Sequence, residues 1–319
     1  GIGYTYADEA TAVVIDKTLR KVIAGQDALA TAALWTKMVA SVRNLGRDGI
    51  AAMAISAVDV ALWDLRGKIC ERPVYELLGP YRTEVPIYGS GGFTSYTLER
   101  LAEQLGGWVA GGIPRVKMKI GRDPAADPKR VAAARQAIGP GAELFVDANG
   151  AYERKQALVL AHRLAADSGV TWYEEPVYHN DFVGLAQVRR GAPPAIEVAS
   201  GEYGYDPYYF SAMIDSGAVD VVQADATRCG GFSALLGVDG LCQAKQIGLS
   251  THCAPYLQLQ AAMACKQLRH IEYFYDHVRI EHLLFDGACR PHNGCITPMP
   301  ARPGIGLEFK HADAHRYAI

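Results

Sequence analysis

From Val85 onward, short apolar runs recur along the chain, and most of them end at or just before an ionisable residue. Val85-Pro86-Ile87-Tyr88 opens the series. Arg115-Val116-Lys117-Met118-Lys119-Ile120 follows, then Leu144-Phe145-Val146 before Asp147 and Thr171-Trp172-Tyr173 before Glu174. Ile196-Glu197-Val198-Ala199 approaches Glu202, and Val219-Asp220-Val221-Val222 approaches Asp225. Gly248-Leu249-Ser250 precedes His252, and Arg269-His270-Ile271 ends at Glu272. The runs are three to six residues of mostly apolar character, which predicts strands buried on both faces. Between them lie segments with helical spacing: Leu98, Leu101, Ala102, Leu105, Trp108 and Val109; then Ala157, Leu160, Ala161, Leu164 and Ala165; then Leu235, Val238 and Cys242. Alternating strands and helices predict a parallel sheet with helices outside.

Lys119, Asp147, Glu174, Glu202, Asp225, His252 and Glu272 are separated by 28, 27, 28, 23, 27 and 20 residues. Each step is one strand, one loop and one helix, the period of a (β/α)8 barrel, whose strand ends converge on one mouth. The expected fold is therefore α/β, a modified (β/α)8 TIM-type barrel over about 85–290. Residues 1–84 read differently. They are alanine-rich and helical, with a buried helix over Asp48 to Lys68 that stops near Gly67, before Pro73. They form an α+β capping domain in this reading, with Gly1-Ile2-Gly3-Tyr4-Thr5-Tyr6 entering the middle of a sheet whose earlier strands precede the sequence. Past about 285 the pattern dissolves into Pro, Gly and His, and 291–319 is expected to return to the cap.

Composition narrows the function. Half of the 319 residues are hydrophobic, and 32 basic against 34 acidic residues give a net charge of −2. That balance carries neither a nucleic-acid footprint nor a polyacidic tail. No apolar run reaches the roughly 18 residues of a membrane span. Seven cysteines without a CxxC pair read as reduced thiols of a cytoplasmic protein, and no signal peptide is visible.

The strand-end residues suggest chemistry. Three acids on successive strands, Asp147, Glu174 and Glu202, repel one another unless a cation lies between them, and hard oxygen ligands favour Mg²⁺. Each acid alone reads as a surface charge or a helix cap; their common phase makes the difference. Lys117 and Lys119, two apart on a strand, face one side. Adjacent ammonium groups should push one pKa toward neutrality and make a general base, whereas an isolated pair would be an exposed strand edge. Asp225 and His252 on consecutive strands can form a dyad in which the carboxylate fixes the imidazole tautomer. Glu272, if buried, should stay protonated and donate a hydrogen bond to developing negative charge; its plainer role is as a partner for Arg269 or Arg279. Ser90-Gly91-Gly92 offers polar contacts or simply a turn.

These residues resemble the enolase superfamily in its mandelate racemase-like subgroup. The resemblance is carried by Lys117-Met118-Lys119, Asp147-Ala148-Asn149, Glu174-Glu175-Pro176, Gly201-Glu202, Asp225-Ala226-Thr227-Arg228-Cys229-Gly230-Gly231 and Ser250-Thr251-His252. Ala61-Leu62-Trp63-Asp64-Leu65-Arg66-Gly67-Lys68 and Pro73-Val74-Tyr75-Glu76-Leu77-Leu78-Gly79 in the cap belong to it as well. It implies Mg²⁺ on Asp147, Glu174 and Glu202, with Lys119 as one acid/base and His252 with Asp225 as the other. Lys117 and Glu272 would hold the substrate carboxylate, with Asn149 as a further substrate contact. The implied reaction is abstraction of the proton α to a carboxylate through an enediolate. Loss of water from an aldonate or aldarate, giving a 2-keto-3-deoxy acid, is the leading outcome. A racemase or epimerase uses the same two bases. A Schiff-base aldolase with Lys119 as nucleophile and a non-catalytic sugar-acid-binding barrel are the rivals of other classes. The expected partner is a small-molecule sugar acid, in a homo-oligomer, with no nucleic acid and no membrane.

Overall fold

The computed structural model describes residues 1–318. Eight parallel strands close into a barrel: β1 (Val85–Gly91), β2 (Arg115–Lys119), β3 (Glu143–Asp147), β4 (Val170–Glu174), β5 (Glu197–Ser200), β6 (Val221–Ala224), β7 (Gly248–Thr251) and β8 (Leu268–Phe274). They pair in chain order, and β8 pairs β1 to complete the ring. Every apolar run identified in the sequence becomes one of these strands. Their core positions are buried on both faces, as central strands covered by helices must be.

Helices fill the intervals. The one over Leu98–Ala110 begins where the Thr97 side chain accepts from the Arg100 backbone N–H at 3.2 Å. The one over Arg154–Ser168 buries Ala157, Leu160, Ala161 and Leu164, and ends at Gly169 in the left-handed region. Below the mouth the barrel is filled by Tyr88, Phe145, Trp172, Ala199 and Val221, with Phe145 stacked on Trp172 at 5.2 Å. The interior is a packed floor, so chemistry is confined to the strand ends above it.

Before Val85, the described residues form helices and no strand. Gly1–Tyr6, expected to enter a sheet, lies outside any strand or helix. The buried cap helix runs over Ile50–Ile69, slightly beyond Gly67. With Leu19, Leu34, Met38 and Val42 it builds a second small core. Its polar residues grip the loop after β6. Ser56 Oγ accepts from the Gly230 N–H at 2.8 Å, and Asp59 accepts from the Ser233 N–H at 3.0 Å and from Ser233 Oγ at 2.7 Å. Trp35 Nε1 and Thr5 Oγ1 donate to the carbonyls of Gly230 and Thr227, at 2.8 and 3.0 Å. The cap therefore holds the segment that carries Asp225.

The chain after β8 runs back over both parts. Cys295–Ile296 pairs antiparallel with the start of β1, and Ile305 N–H donates to Asp64 Oδ1 at 2.8 Å. Glu308–Phe309 pairs Phe285–Asp286. Among the described residues, no helix is long and apolar enough to cross a membrane.

Candidate active site

Strand register assembles the site. Lys119, Asp147 and Glu174, the last residues of β2, β3 and β4, are direct neighbours across the sheet. Glu202 lies two residues past β5, Asp225 one past β6, His252 one past β7, and Glu272 within β8. Around the mouth the order is lysine, three carboxylates, the Asp225–His252 pair, then Glu272. Lys119 and His252 thus flank the carboxylates from opposite sides.

Asp147, Glu174 and Glu202 are buried, and one oxygen from each lies within 4.8 Å of the others. An octahedral hard cation with bonds of about 2.1 Å needs ligands roughly 3.0–4.2 Å apart, so small side-chain adjustments suffice. Glu202 Oε2 is buried without a hydrogen-bond donor, and burial together with the Asp147 charge pushes Glu174 well up. Both observations fit a cation on these three acids. Trp172 Nε1 donates to Glu174 Oε2 at 3.0 Å, and Asn149 N–H to Asp147 Oδ1 at 2.8 Å, so the ligands are oriented from behind. Asn149 itself is exposed, in the left-handed region at φ 44°.

The lysines depart from expectation. Lys117 is fully buried; its Nζ lies 2.5 and 2.7 Å from the Glu174 oxygens and 2.7 Å from Glu272 Oε1. Lys119 is 15% exposed at its side chain and paired with Asp147. Burial lowers both pKa values, but the surrounding carboxylates outweigh it and hold both lysines above their ordinary range. The anticipated fall toward neutrality does not occur in this charge set. Carboxylates, more than the neighbouring ammonium, set the field; a divalent ion shared by the same acids would remove much of their pull.

Glu272 is a second correction. Burial pushes it up, but Lys117, His252 and Lys119 hold it well below the usual carboxylate range, so it is ionised. Its oxygens accept from Ser90 Oγ at 2.6 Å, from Lys117, and from the Cys253 N–H at 2.8 Å. It cannot donate in this arrangement. Asp147 sits at about 2, because Lys119 and Lys117 overcome its burial.

The dyad forms. His252 Nδ1 lies 2.9 Å from Asp225 Oδ2, while Nε2 faces the mouth 3.2 Å from Glu202 Oε2. Asp225 Oδ1 accepts from Thr227 N–H and Oγ1, both at 2.7 Å. Burial opposes its ionisation, yet His252, Arg228 and Tyr6 keep it below its ordinary value. With Nδ1 against a carboxylate, Nε2 carries the free lone pair.

Several contributors were not singled out in the sequence. The Tyr6 hydroxyl donates to Asp225 and lies 3.0 Å from His252 Nδ1. Nothing in the spacing of Gly1–Tyr6 signals this, because its partners are more than 200 positions away. Arg228 lies in the quoted Asp225 motif but had no role assigned. It sits between the rings of Tyr6 and Tyr203, at 4.9 and 5.0 Å, and 3.5 Å from Glu202 Oε1. At Ser90-Gly91-Gly92, Ser90 Oγ donates to Glu272 Oε1 at 2.6 Å, a Cβ on the strand residue Gly91 would meet Gln104 at 2.4 Å, and Gly92 turns the chain at φ +55°.

Residues 1–79 match the mandelate racemase/muconate lactonizing enzyme N-terminal domain, and 99–314 the enolase C-terminal domain-like family. The chain belongs to the mandelate racemase-like branch of the enolase superfamily. Among curated relatives, the 3,6-anhydro-alpha-L-galactonate cycloisomerase of Streptomyces coelicolor is 32% identical, over 100% of this chain and 88% of the relative. A mandelate racemase/muconate lactonizing enzyme-like protein from Rubrobacter xylanophilus superposes with a TM-score of 0.97 at 51% identity, covering 99% of this chain and 88% of that one. The L-talarate/galactarate dehydratase of Salmonella typhimurium, crystallised with Mg and L-lyxarohydroxamate, gives 0.88 at 28% identity, over 99% and 80%. The family assignment and the barrel with its N-terminal cap are thus both as expected. The relatives are dehydratases and cycloisomerases, and this mandelate racemase-like chain is an enzyme of the lyase or racemase type.

Proposed function

We propose that this enzyme removes the proton α to the carboxylate of a sugar acid and then expels the β-hydroxyl, giving a 2-keto-3-deoxy acid. The observation that carries the reading is the order around the mouth: three clustered carboxylates with Lys119 on one flank and the Asp225–His252 pair on the other. Mg²⁺ held by Asp147, Glu174 and Glu202 would supply Lewis-acid stabilisation of the negative charge, worth several kcal/mol. Lys119 and His252 Nε2 approach the α-carbon from opposite faces, so one takes the proton. In elimination, His252, oriented by Asp225, returns a proton to the departing hydroxyl. Lys117 is fixed by Glu174 and Glu272 and places its positive charge where the substrate carboxylate gathers charge. Glu272 orients Lys117 and acts as an acceptor.

A second reading, epimerisation or cycloisomerisation through the same first step, is favoured by the two flanking bases and by the cycloisomerase relative. The test is a sugar-acid library screened with Mg²⁺, using the wild type, Lys119→Ala and His252→Asn. A 2-keto product supports dehydration, and an isomer of unchanged mass moves the reading to the second. Full activity in both variants would remove these bases from the mechanism. Activity that survives EDTA and is lost to borohydride plus substrate would point to a Schiff base on Lys119.

A further inference from the structure

His252 is followed by Cys253, and the loop turns sharply there. Cys253 and Ala254 are both left-handed, at φ 53° and 38°. Two successive non-glycine residues in that region are costly, and they persist only where neighbours hold them. Gln258 does so: its Nε2 donates to the carbonyls of His252 and Cys253 at 2.6 and 2.8 Å, and its Oε1 accepts from the Ala226 N–H at 3.0 Å. This backbone lays the Cys253 thiol back beside the imidazole, with Sγ 3.4 Å from His252 Nε2. Glu272 Oε2 is 3.9 Å from the same nitrogen. All three residues are buried, and their donor atoms lie within 4.8 Å of one another.

We propose that His252, Cys253 and Glu272 form a second metal site that takes a thiophilic divalent cation such as Zn²⁺ or Cd²⁺, and that its occupancy shuts off proton transfer by His252. A tetrahedral ion with bonds of about 2.0–2.3 Å needs donors about 3.3–3.8 Å apart. The separations of 3.4 and 3.9 Å come close to that, and with the third pair within 4.8 Å small side-chain adjustments complete the set. The surrounding groups suit the role. Asp225 on Nδ1 makes a carboxylate–histidine pair whose Nε2 points at the metal position, the usual orientation of a ligating imidazole. Glu272 is held by Ser90 Oγ and the Cys253 N–H. Glu202 Oε2, 3.2 Å from Nε2, is within reach as a fourth donor.

Thiolate and imidazole select a soft cation, whereas the all-oxygen cluster of Asp147, Glu174 and Glu202 selects a hard one. The two ions would sit on either side of Glu202. On binding, the thiol S–H breaks, a sulfur–metal bond forms, and the proton passes to solvent. The metal occupies the Nε2 lone pair that would take up the α-proton, and so also blocks the atom from which a proton would return to the leaving hydroxyl. This inhibitory half rests on the role proposed for His252; the binding half does not.

The experiment uses the full chain in saturating Mg²⁺, titrated with Cd²⁺ alone, and follows the ultraviolet thiolate-to-cadmium charge-transfer band. The expected result is one equivalent of band present in the wild type and missing from Cys253→Ala and Cys253→Ser. Comparing the variants with the wild type removes any contribution of the exposed Cys70 and the half-buried Cys289 and Cys295. Cadmium NMR of the wild type gives a reading independent of any variant: one sulfur with nitrogen and oxygen ligands supports the site, and an all-oxygen environment overturns it. Identical bands in wild type and variants also overturn it. In turnover, the Zn²⁺ concentration for half-inhibition should rise at least about tenfold in Cys253→Ala. A Cys253-dependent band without inhibition would leave the site standing and refute the proton-transfer role of His252.

Discussion

Asp225→Asn tests the dyad while leaving its shape almost unchanged. Asp225 Oδ1 accepts two hydrogen bonds from Thr227, whereas Oδ2 faces the Tyr6 hydroxyl and His252 Nδ1. An asparagine must turn its amide oxygen toward Thr227, where both groups donate. Its NH₂ then faces His252. Nδ1 meets a donor and has to accept, so the ring proton moves to Nε2, the atom on the mouth side. The residue and its position survive, but the lone pair that would do the work is gone. Loss of a positioned general acid/base typically costs about 10²–10⁴-fold, which is roughly 3–5 kcal/mol of barrier. The assay is turnover of the sugar acid identified by screening, with deuterium entry at its α-carbon followed by NMR and thermal unfolding run in parallel. The expected outcome is a kcat at least about a hundredfold lower, KM little changed, and a melting temperature within a few degrees of wild type. If Asp225→Asn kept about a third of wild-type turnover while His252→Asn were inactive, the tautomer reasoning would be wrong and Asp225 would only be packing.

Removal of divalent ions by EDTA should abolish turnover, and added Mg²⁺ should restore it; retained activity would refute the carboxylate-cluster assignment. Trp172→Phe deletes the 3.0 Å bond to Glu174 Oε2 while keeping a ring against Phe145, so calorimetry should record about tenfold or greater weakening of Mg²⁺ affinity. Gly231→Ala places a Cβ 2.3 Å from Asp59 Oδ2 at φ +82°, and a loss of about 2 kcal/mol or more should appear as a lower urea midpoint. Burial pushes the Glu281 carboxyl from 4.5 up to about 8, against hydrogen bonds from Tyr4 and the backbone of Leu257 and Tyr256. Between those values the folded chain keeps a proton that the unfolded chain has released, so this group's contribution to stability falls as pH rises through the window and is level above it. Urea unfolding from about pH 5 to 8 should show that slope in wild type and a flatter one in Glu281→Gln; parallel slopes would refute it.

Strand order and the positions of the chemistry were legible because a barrel imposes both on the sequence. Each buried strand must be a short apolar run, and each mouth residue must stand at its end, so Asp147, Glu174, Asp225 and His252 announce themselves by phase. The rule that residues two apart share a strand face correctly put Lys117 and Lys119 on one side. It could not say which charges would face them, because that depends on the register of other strands. Lys119 lies in register with Asp147 and Glu174, whereas Lys117 lies in register with Ser90 and Phe145 and reaches Glu174 and Glu272 only through its long side chain. Protonation states follow from those reaches, so the expectations for Lys117, Lys119 and Glu272 failed together and for one reason: the local sequence was read as ammonium beside ammonium, and the barrel closes ammonium onto carboxylate. Tyr6 failed differently. It acts on a dyad assembled from β6 and β7 across the full length of the chain, and its own segment, which reads as a strand entering a sheet, lies outside any strand or helix. Local pattern therefore locates side chains that a strand end presents. It stays silent on those delivered by a cap, as Tyr6 is.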